Sequence, residues 1–462
     1  MDYISCESAA KKIGVSTRRI QQMCKQKEIV GAIKDGRNWL IPDNAILSPK
    51  KPLPIGVSDF KSATTNYYYV DKTLLIRDFL NAIPMVSLFT RPRRFGKTLN
   101  MDMLRVFFEK TPEDTSIYFK DKYIWQCGDY YTKHQGQYPV IFLSFKDVKC
   151  SSWQETFQKI SKLISLEFIR HSELESSSVL SSYEKEQYHR FASENINEVD
   201  CQMGLQLLSL LLHKHYDKEC VIIIDEYDTP IQQGHLCDFY NEIVDFMRNF
   251  FSGGLKDNPH LAFGFLTGIL RVAKESIFTG LNNLAVNSIL SNKYSESFGF
   301  VQSEVDELMR YYNIEEKSQL MKKWYDGYLF GKSKVYNPWS VLNQVKEWSE
   351  DKDISAIPWW TNTSSNNIIR TLVSQADNET KDIIENLIHG GSVETVLKET
   401  VTYGDLTENN ENIWSFLFFT GYLKIKEIVE TGEVIGEPTI YSLVIPNREI
   451  KSCYTDIIIQ YF

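Results

Sequence analysis

Four short apolar runs punctuate the middle of the chain: Met85-Val86-Ser87-Leu88-Phe89, Val140-Ile141-Phe142-Leu143-Ser144-Phe145, Val221-Ile222-Ile223-Ile224 and Leu261-Ala262-Phe263-Gly264-Phe265-Leu266. Continuous runs of this length are the pattern of strands buried on both faces of a parallel sheet. Between them the apolar positions change to helical spacing. Leu99, Met103, Leu104, Phe107 and Phe108 form one stripe, and further helices are expected at 74–83, 153–171, 205–215 and 239–251. A Ser/Glu-rich stretch at 173–182 interrupts the series. Strands alternating with helices predict an α/β fold, a three-layer core around a parallel sheet.

The first 47 residues follow another pattern. Ser5 can cap a helix carrying Ala9, Ala10 and Ile13, Gly14-Val15 makes a turn, and Ser16 can cap a second helix over 16–25. In that second helix Ile20, Met23 and Cys24 face inward, leaving Thr17, Arg18, Arg19, Gln21 and Gln22 as candidates for base edges and phosphates. Residues 32–41 read as a hairpin around Asp35-Gly36, with Lys34 and Arg37 as its cations. The expected unit at 1–47 is a small winged helix-turn-helix that binds duplex DNA; a protein-binding helical module is the alternative. Residues 48–66, with Pro49, Pro52 and Pro54, read as a linker.

Charge sharpens this division. Ten basic and five acidic residues stand in 1–51, so this head is net +5 and the rest of a chain of net −9 carries −14. A basic head on an acidic body points to an anionic partner for the head alone. The 462 residues suffice for two to four domains. Aromatics at 13% argue against long disorder. The sequence contains no run of 18 apolar residues, and Met1-Asp2-Tyr3 lacks the form of a signal segment, so a cytosolic protein without membrane contact is expected. The eight cysteines are scattered, with no C-x-x-C pair to suggest zinc or a disulfide framework. His213 and His215 would point to different faces of a helix and are not read as ligands.

The chemistry gathers at the strand ends. After the first apolar run, Arg91-Pro92-Arg93-Arg94-Phe95-Gly96-Lys97-Thr98 leads into a helix and supplies the last three positions of the phosphate-binding pattern GxxxxGK[ST]. Such a loop offers backbone N–H groups and a helix N-terminus to phosphates, a lysine to neutralise them and a hydroxyl for Mg²⁺. Arg93, Arg94, Phe95, Gly96, Lys97 and Thr98 are therefore the expected ATP-binding residues. Arg91 replaces the first glycine, a cost if that position needs positive φ. Asp225 and Glu226 end the β-branched run: the Asp would hold Mg²⁺ with Thr98, and the Glu would activate water. Thr267 ends the next run, where a γ-phosphate sensor would sit, and Arg271 follows it as a group that could stabilise transition-state charge.

Two resemblances rest on these residues. The segment 1–47 resembles excisionase- and MerR-type winged helix-turn-helix domains, whose second helix enters the major groove. Tyr-Tyr-Tyr-Val-Asp-Lys-Thr (67–73), Arg-Pro-Arg-Arg-Phe-Gly-Lys-Thr (91–98), Ile-Ile-Asp-Glu-Tyr-Asp-Thr-Pro (223–230) and Thr-Gly-Ile-Leu-Arg-Val-Ala-Lys-Glu-Ser-Ile-Phe (267–278) resemble the bacterial AAA-ATPase-like family. Trp324-Tyr325-Asp326-Gly327-Tyr328, Tyr336-Asn337-Pro338-Trp339-Ser340 and Phe419-Thr420-Gly421-Tyr422-Leu423 extend it, so that it covers roughly 53–445. The resemblance implies a P-loop NTPase core at 67–290, a helical lid-like region at 291–350 and a mainly helical accessory region at 351–462. An Arg at the first loop glycine is usual in that family. Many members continue into a PD-(D/E)XK nuclease-like domain. Glu449-Ile450-Lys451 spells its E-x-K, but no apolar strand carries the triplet, so no nuclease centre is expected. The apolar end at 454–462 would pack into the body, dock a second copy or mark a truncation before a further domain; truncation is the expectation. The expected activity is ATP binding with hydrolysis, coupled to DNA; a nucleotide-gated regulator or scaffold without significant turnover is the alternative.

Overall fold

The computed structural model describes residues 3–25, 27–43, 50–271, 277–278, 282–360, 377–401, 411–432 and 437–461. The chain divides into two compact units, Met1–Leu53 with Asn66–Tyr68, and Pro54–Thr65 with Tyr69–Phe462.

The smaller unit is built from β1 (Tyr3–Ser5), α1 (Cys6–Ile13), α2 (Thr17–Lys25), β2 (Ile33–Asp35) and β3 (Asn38–Pro42). Ser5 Oγ accepts from the Ser8 N–H at 3.2 Å, Gly14 ends α1 at φ +78°, and Ser16 Oγ accepts from the Arg19 N–H at 3.2 Å. Asp35 faces Asn38 across the β2–β3 turn, as the Asp-Gly pair predicts. β1 pairs antiparallel with β3 and gives a three-stranded sheet, which its three residues did not announce. Ala9, Ala10, Ile20, Met23, Cys24 and Ile41 form the core.

In the larger unit the expected linker is shorter than 48–66, because α3 (Phe60–Asn66) occupies its end. Phe60, Ala63 and Thr64 bury one helical face, and the Phe60 N–H donates to Asp102 Oδ2 at 2.7 Å. The small polar residues of this stretch concealed that stripe. Then come α4 (Leu74–Leu80), β4 (Val86–Thr90), α5 (Lys97–Phe108), β5 (Val140–Ser144), β6 (Cys220–Asp225), β7 (Leu261–Gly268) and β8 (Leu284–Asn287). These five strands form one parallel sheet in the order β5-β6-β7-β4-β8. Alternate residues serve opposite layers. Val221 and Ile223 join the core of α4 and α5, whereas Ile222 and Ile224 join that of the helices Trp153–Arg170, Gly204–Tyr216 and Tyr240–Leu255. The register sets Ser144 beside Asp225 and Phe89 beside Thr267, so the hydroxyls and the carboxylate meet at the C-terminal ends of the strands.

The regions beyond the sheet carry strands among their helices. The expected helical region at 291–350 contains a hairpin, β9 (Tyr328–Phe330) with β10 (Ser333–Val335). The region at 351–462 contains an antiparallel sheet of β11 (Val393–Val396), β12 (Lys424–Glu430) and β13 (Ile440–Val444), in the order β11-β13-β12. β12 is a mostly exposed edge strand with β-bulges and little apolar signal. The final helix, Arg448–Tyr461, buries Ile450, Cys453 and Tyr454, so the first part of the apolar end packs into the body; the side chains of 457–460 lie outside the described residues. Among the described residues no helix is long and apolar enough to cross a membrane.

Glu449, in the first turn of that helix, is fully buried. Its Oε1 accepts from Ser340 Oγ and from the Trp360 N–H, both at 2.9 Å, which makes the E-x-K triplet an internal brace. Burial pushes this carboxyl up from 4.5 to about 7. The folded chain thus keeps a proton that the unfolded chain has lost, and the stability tied to that proton falls as pH rises from about 4.5 to about 7. Glu449→Gln keeps the acceptor and removes the titration. The variant should be more stable than the parent by about 1–3 kcal/mol at pH 8 and no more stable at pH 5. Calorimetric melting at both pH values checks this; an equal gain at both would exclude the carboxyl as its source.

Candidate functional site

The loop between β4 and α5 places its positive backbone angles at Arg94 (φ +67°) and Gly96 (φ +80°). Arg91 has none, so the cost expected of a missing glycine there does not arise. Its side chain is instead an internal fixture. Fully buried, the guanidinium donates through Nη1 to the carbonyls of Thr90 (2.8 Å) and Asn287 (2.7 Å) and through Nη2 to that of Tyr294 (3.2 Å). It lies over the rings of Phe298 and Phe330, at 5.0 and 5.3 Å from their centroids. Burial lowers its pKa to about 9. Arg91 therefore clamps the loop to β8 and to the segment beyond it.

At the first turn of α5 the Lys97 ammonium is buried and donates to the carbonyls of Arg91 and Pro92, both at 3.0 Å. Two of its three protons are thereby used. Burial lowers its pKa, against the opposing pull of Glu226, Asp228 and Asp225. Thr98 Oγ1 donates to Asp225 Oδ2 at 2.8 Å, Thr267 Oγ1 to Asp225 Oδ1 at 2.6 Å, and Ser144 Oγ to Oδ2 at 3.3 Å. Asp225 is fully buried, and desolvation raises its pKa. The residues Thr98, Asp225, Glu226 and Thr267 thus come together as the sequence predicted, with Lys97 close enough to bias the acids. Hydroxyls and carboxylates are the oxygen donors that suit Mg²⁺, and a helix N-terminus beside a lysine suits phosphate.

Glu226 is half-buried at φ +52°, a conformation rare for a non-glycine residue and frequent at functional sites. Its N–H donates to Thr267 Oγ1 at 3.2 Å and its Oε2 accepts from Thr229 Oγ1 at 3.2 Å. Asp228 was missed. Its Oδ2 takes the N–H groups of Ile269 (2.7 Å) and Leu270 (3.1 Å), while the Tyr227 hydroxyl donates to the Leu270 carbonyl at 2.6 Å. The Asp-Glu-Tyr-Asp order holds the available signal: its last carboxylate, Asp228, fixes the chain just before Arg271. Arg271 Nε is buried without a hydrogen-bond partner, and residues 272–276 lie outside the described residues.

The remaining loop side chains turn away from phosphate. Arg93 donates to Gln232 Oε1 at 2.9 Å. Arg94 stacks on Trp339 at 4.2 Å and donates to the Trp359 carbonyl at 3.4 Å. Phe95 is buried against Tyr328 and Phe330 at 5.0 and 4.9 Å, so only its backbone remains for a ligand. In the smaller unit Thr17, Arg18, Gln21, Lys34 and Arg37 are exposed, and Gln22 is half-buried. Arg19 departs from expectation: it pairs with Glu28 at 3.3 Å, both side chains largely covered, so it braces α2.

The chain is similar to several known proteins. Residues 54–278 match the AAA-ATPase-like family model, described as a predicted AAA-ATPase. An uncharacterised protein in the vnfD 5′ region of Azotobacter chroococcum mcd 1 is 26% identical over 409 residues, covering 87% of this chain and 69% of that protein. The Aeropyrum pernix ORC2 protein, solved in ADPNP–ADP complexes, aligns over 86% of this chain and 98% of its own at 10% identity and a TM-score of 0.30.

The clamp formed by Arg91 yields a prediction opposite to the motif's. Arg91→Gly restores the usual first glycine yet strands three buried carbonyls and opens a cavity, so it should destabilise by about 3–5 kcal/mol. Chemical denaturation measures this; unchanged stability would mean that the clamp carries no energy.

Proposed function

We propose that the chain is a nucleotide-binding P-loop ATPase whose smaller unit binds duplex DNA. The observation that carries the first half is Asp225 held between Thr98 and Thr267 at the mouth of the loop. ATP would take its phosphate contacts from the backbone N–H groups of the loop and from Lys97. Thr98 and Asp225 would hold Mg²⁺, which supplies charge neutralisation at the phosphates. Glu226 is the candidate base for an attacking water, Thr267 bridges Asp225 and the Glu226 N–H, and Arg271 is the candidate cation for transition-state charge. The acids raise the proton affinity of Lys97 while burial lowers it, a balance that favours its charged form as a phosphate arrives.

A second reading, a nucleotide-gated regulator without significant turnover, has one observation in its favour. Glu226 already accepts from Thr229, which restrains the carboxylate that would have to take a proton. One pair of variants separates the two. Lys97→Ala should remove the Mg²⁺-dependent ATP site from the calorimetric titration, one site fewer than in the parent, with the fold intact. Glu226→Gln should keep binding and slow phosphate release by roughly 10²–10⁴-fold. Turnover unaltered by Glu226→Gln would assign the base elsewhere, and no turnover in the parent would favour the regulator.

DNA binding rests on the exposed cations Arg18, Lys34 and Arg37, carried by a helix and a hairpin of one small unit. Contacts with phosphates release counterions, so affinity should fall steeply with salt. Full-length Arg18→Ala/Lys34→Ala/Arg37→Ala should bind duplex more weakly and with a shallower salt slope. If parent and variant show the same slope in a fluorescence titration, the smaller unit docks a protein instead.

A further inference from the structure

The acidic body carries one cavity whose charged lining is entirely basic. Its volume is about 510 Å³, and it is lined by Lys323, Lys424, Lys426, Arg448 and Lys451 together with apolar positions such as Ile388 and Val444. The cations come from three elements: the helix Ser318–Tyr325, strand β12 and the final helix Arg448–Tyr461. Lys424 and Lys426 both line the cavity across a bulge of β12, and Arg448 and Lys451 stand three apart on a helix and share a face. Five like charges converging on one concavity repel one another, and in a body of net negative charge this arrangement is not a by-product of composition.

Pairing does not relieve the repulsion. Lys426 meets Glu427 at 3.4 Å. Among the described residues, Lys323, Lys424, Arg448 and Lys451 have no carboxylate within ion-pair distance. Lys424 is the telling member. It is half-buried beside Gly327, where an added Cβ would come to 3.0 Å from its Nζ. Desolvation lowers its pKa, and Asp326 acts on it only at a distance. A partly dehydrated cation with no counter-ion is costly, and an incoming anion removes that cost.

We infer that this cavity is a second anion site, separate from the loop at Lys97, for a small ligand carrying two or more phosphates. Its volume lies in the small-molecule range, and the apolar wall offers a seat for an uncharged portion of the ligand. Convergent cations in a concave low-dielectric wall focus the field on a multiply charged anion. Because the cations come from the helix Ser318–Tyr325, β12 and the final helix, occupancy would tie these three elements together.

The test uses full-length protein carrying Lys97→Ala, so that the loop is silent, with inorganic triphosphate and ATP as separate probes in calorimetry without Mg²⁺. One site per chain is expected for each probe; tighter ATP would place the nucleoside on the apolar wall, and equal affinity would leave phosphate as the whole determinant. Lys424→Gln should weaken triphosphate about tenfold or more, and Arg448→Gln/Lys451→Gln, both at exposed positions, should do the same with an unchanged melting temperature. No triphosphate binding by the Lys97→Ala protein, or binding indifferent to both variants, overturns the inference. So does a single-stranded oligonucleotide that binds about tenfold more tightly than triphosphate and loses that affinity in the same variants, because the cavity would then be part of a nucleic-acid groove. The loop reading fails separately: if Lys97→Ala leaves the number of ATP sites of the parent unchanged, the cavity can stand and the loop cannot.

Discussion

A guanidinium with no acid in reach must find carbonyls, and much of the larger unit is arranged so that Arg91 finds three. They come from β4, from the end of β8 and from the segment at Tyr294, while Phe298 and Phe330 close over its plane. Backbone carbonyls stabilise a charge only while their positions are kept, so this one side chain couples the phosphate-binding loop to the sheet edge and to the β9 hairpin. The loop can then be rigid without its first glycine. Its shape is set from beneath by Arg91 and at its rim by Arg94, and the helix N-terminus at Lys97 is left facing the acidic strand end.

What the sequence made legible was local. Gly96-Lys97-Thr98, Asp225-Glu226 and Thr267 stand out because each ends a short apolar run, and a parallel sheet brings such C-terminal strand ends together. The two helices of the smaller unit were legible for the same reason, through caps and an inward face only a few residues long. What was hidden was pairing over distance. Arg91 reads as a defect in a motif until its carbonyl partners near residue 290 are known, and Arg19 reads as a DNA contact until Glu28 folds back on it. β8 and β12 were missed for another reason: both are short or exposed edge strands, where half-buried and charged side chains dilute the apolar signal that marks a central strand.

The same distinction explains the C-terminal regions. Tyr328, Trp339 and Tyr422 lie in motifs that repeat no period, and an aromatic-rich stretch without period is ambiguous between helix and strand. Their arrangement becomes intelligible from the loop outward. Phe95 needs Tyr328 and Phe330, Tyr328 stacks on Trp360, Trp360 meets Tyr422 edge-on, and Gly421 is where a Cβ would press on Pro92 at 3.1 Å. Tyr328, Trp360 and Tyr422 thus form a rear wall behind the loop at Lys97, though none stands near it in sequence.

That wall has a consequence for how the protein is made. The Arg94–Trp359 contact joins residues 265 positions apart, and at a ribosomal pace of roughly 5–20 residues per second the second partner follows the first by on the order of tens of seconds. The sheet strands emerge well before then, so the growing chain must hold an open loop, with Phe95 unpacked and Arg94 bare, until the aromatic wall arrives. Nascent chains would therefore pass through a long interval in which the loop's sequence is complete and its shape is not. Closure of the loop then belongs among the last events of biosynthesis rather than the first, and a chaperone that shields aromatic surface would meet this protein between those two moments.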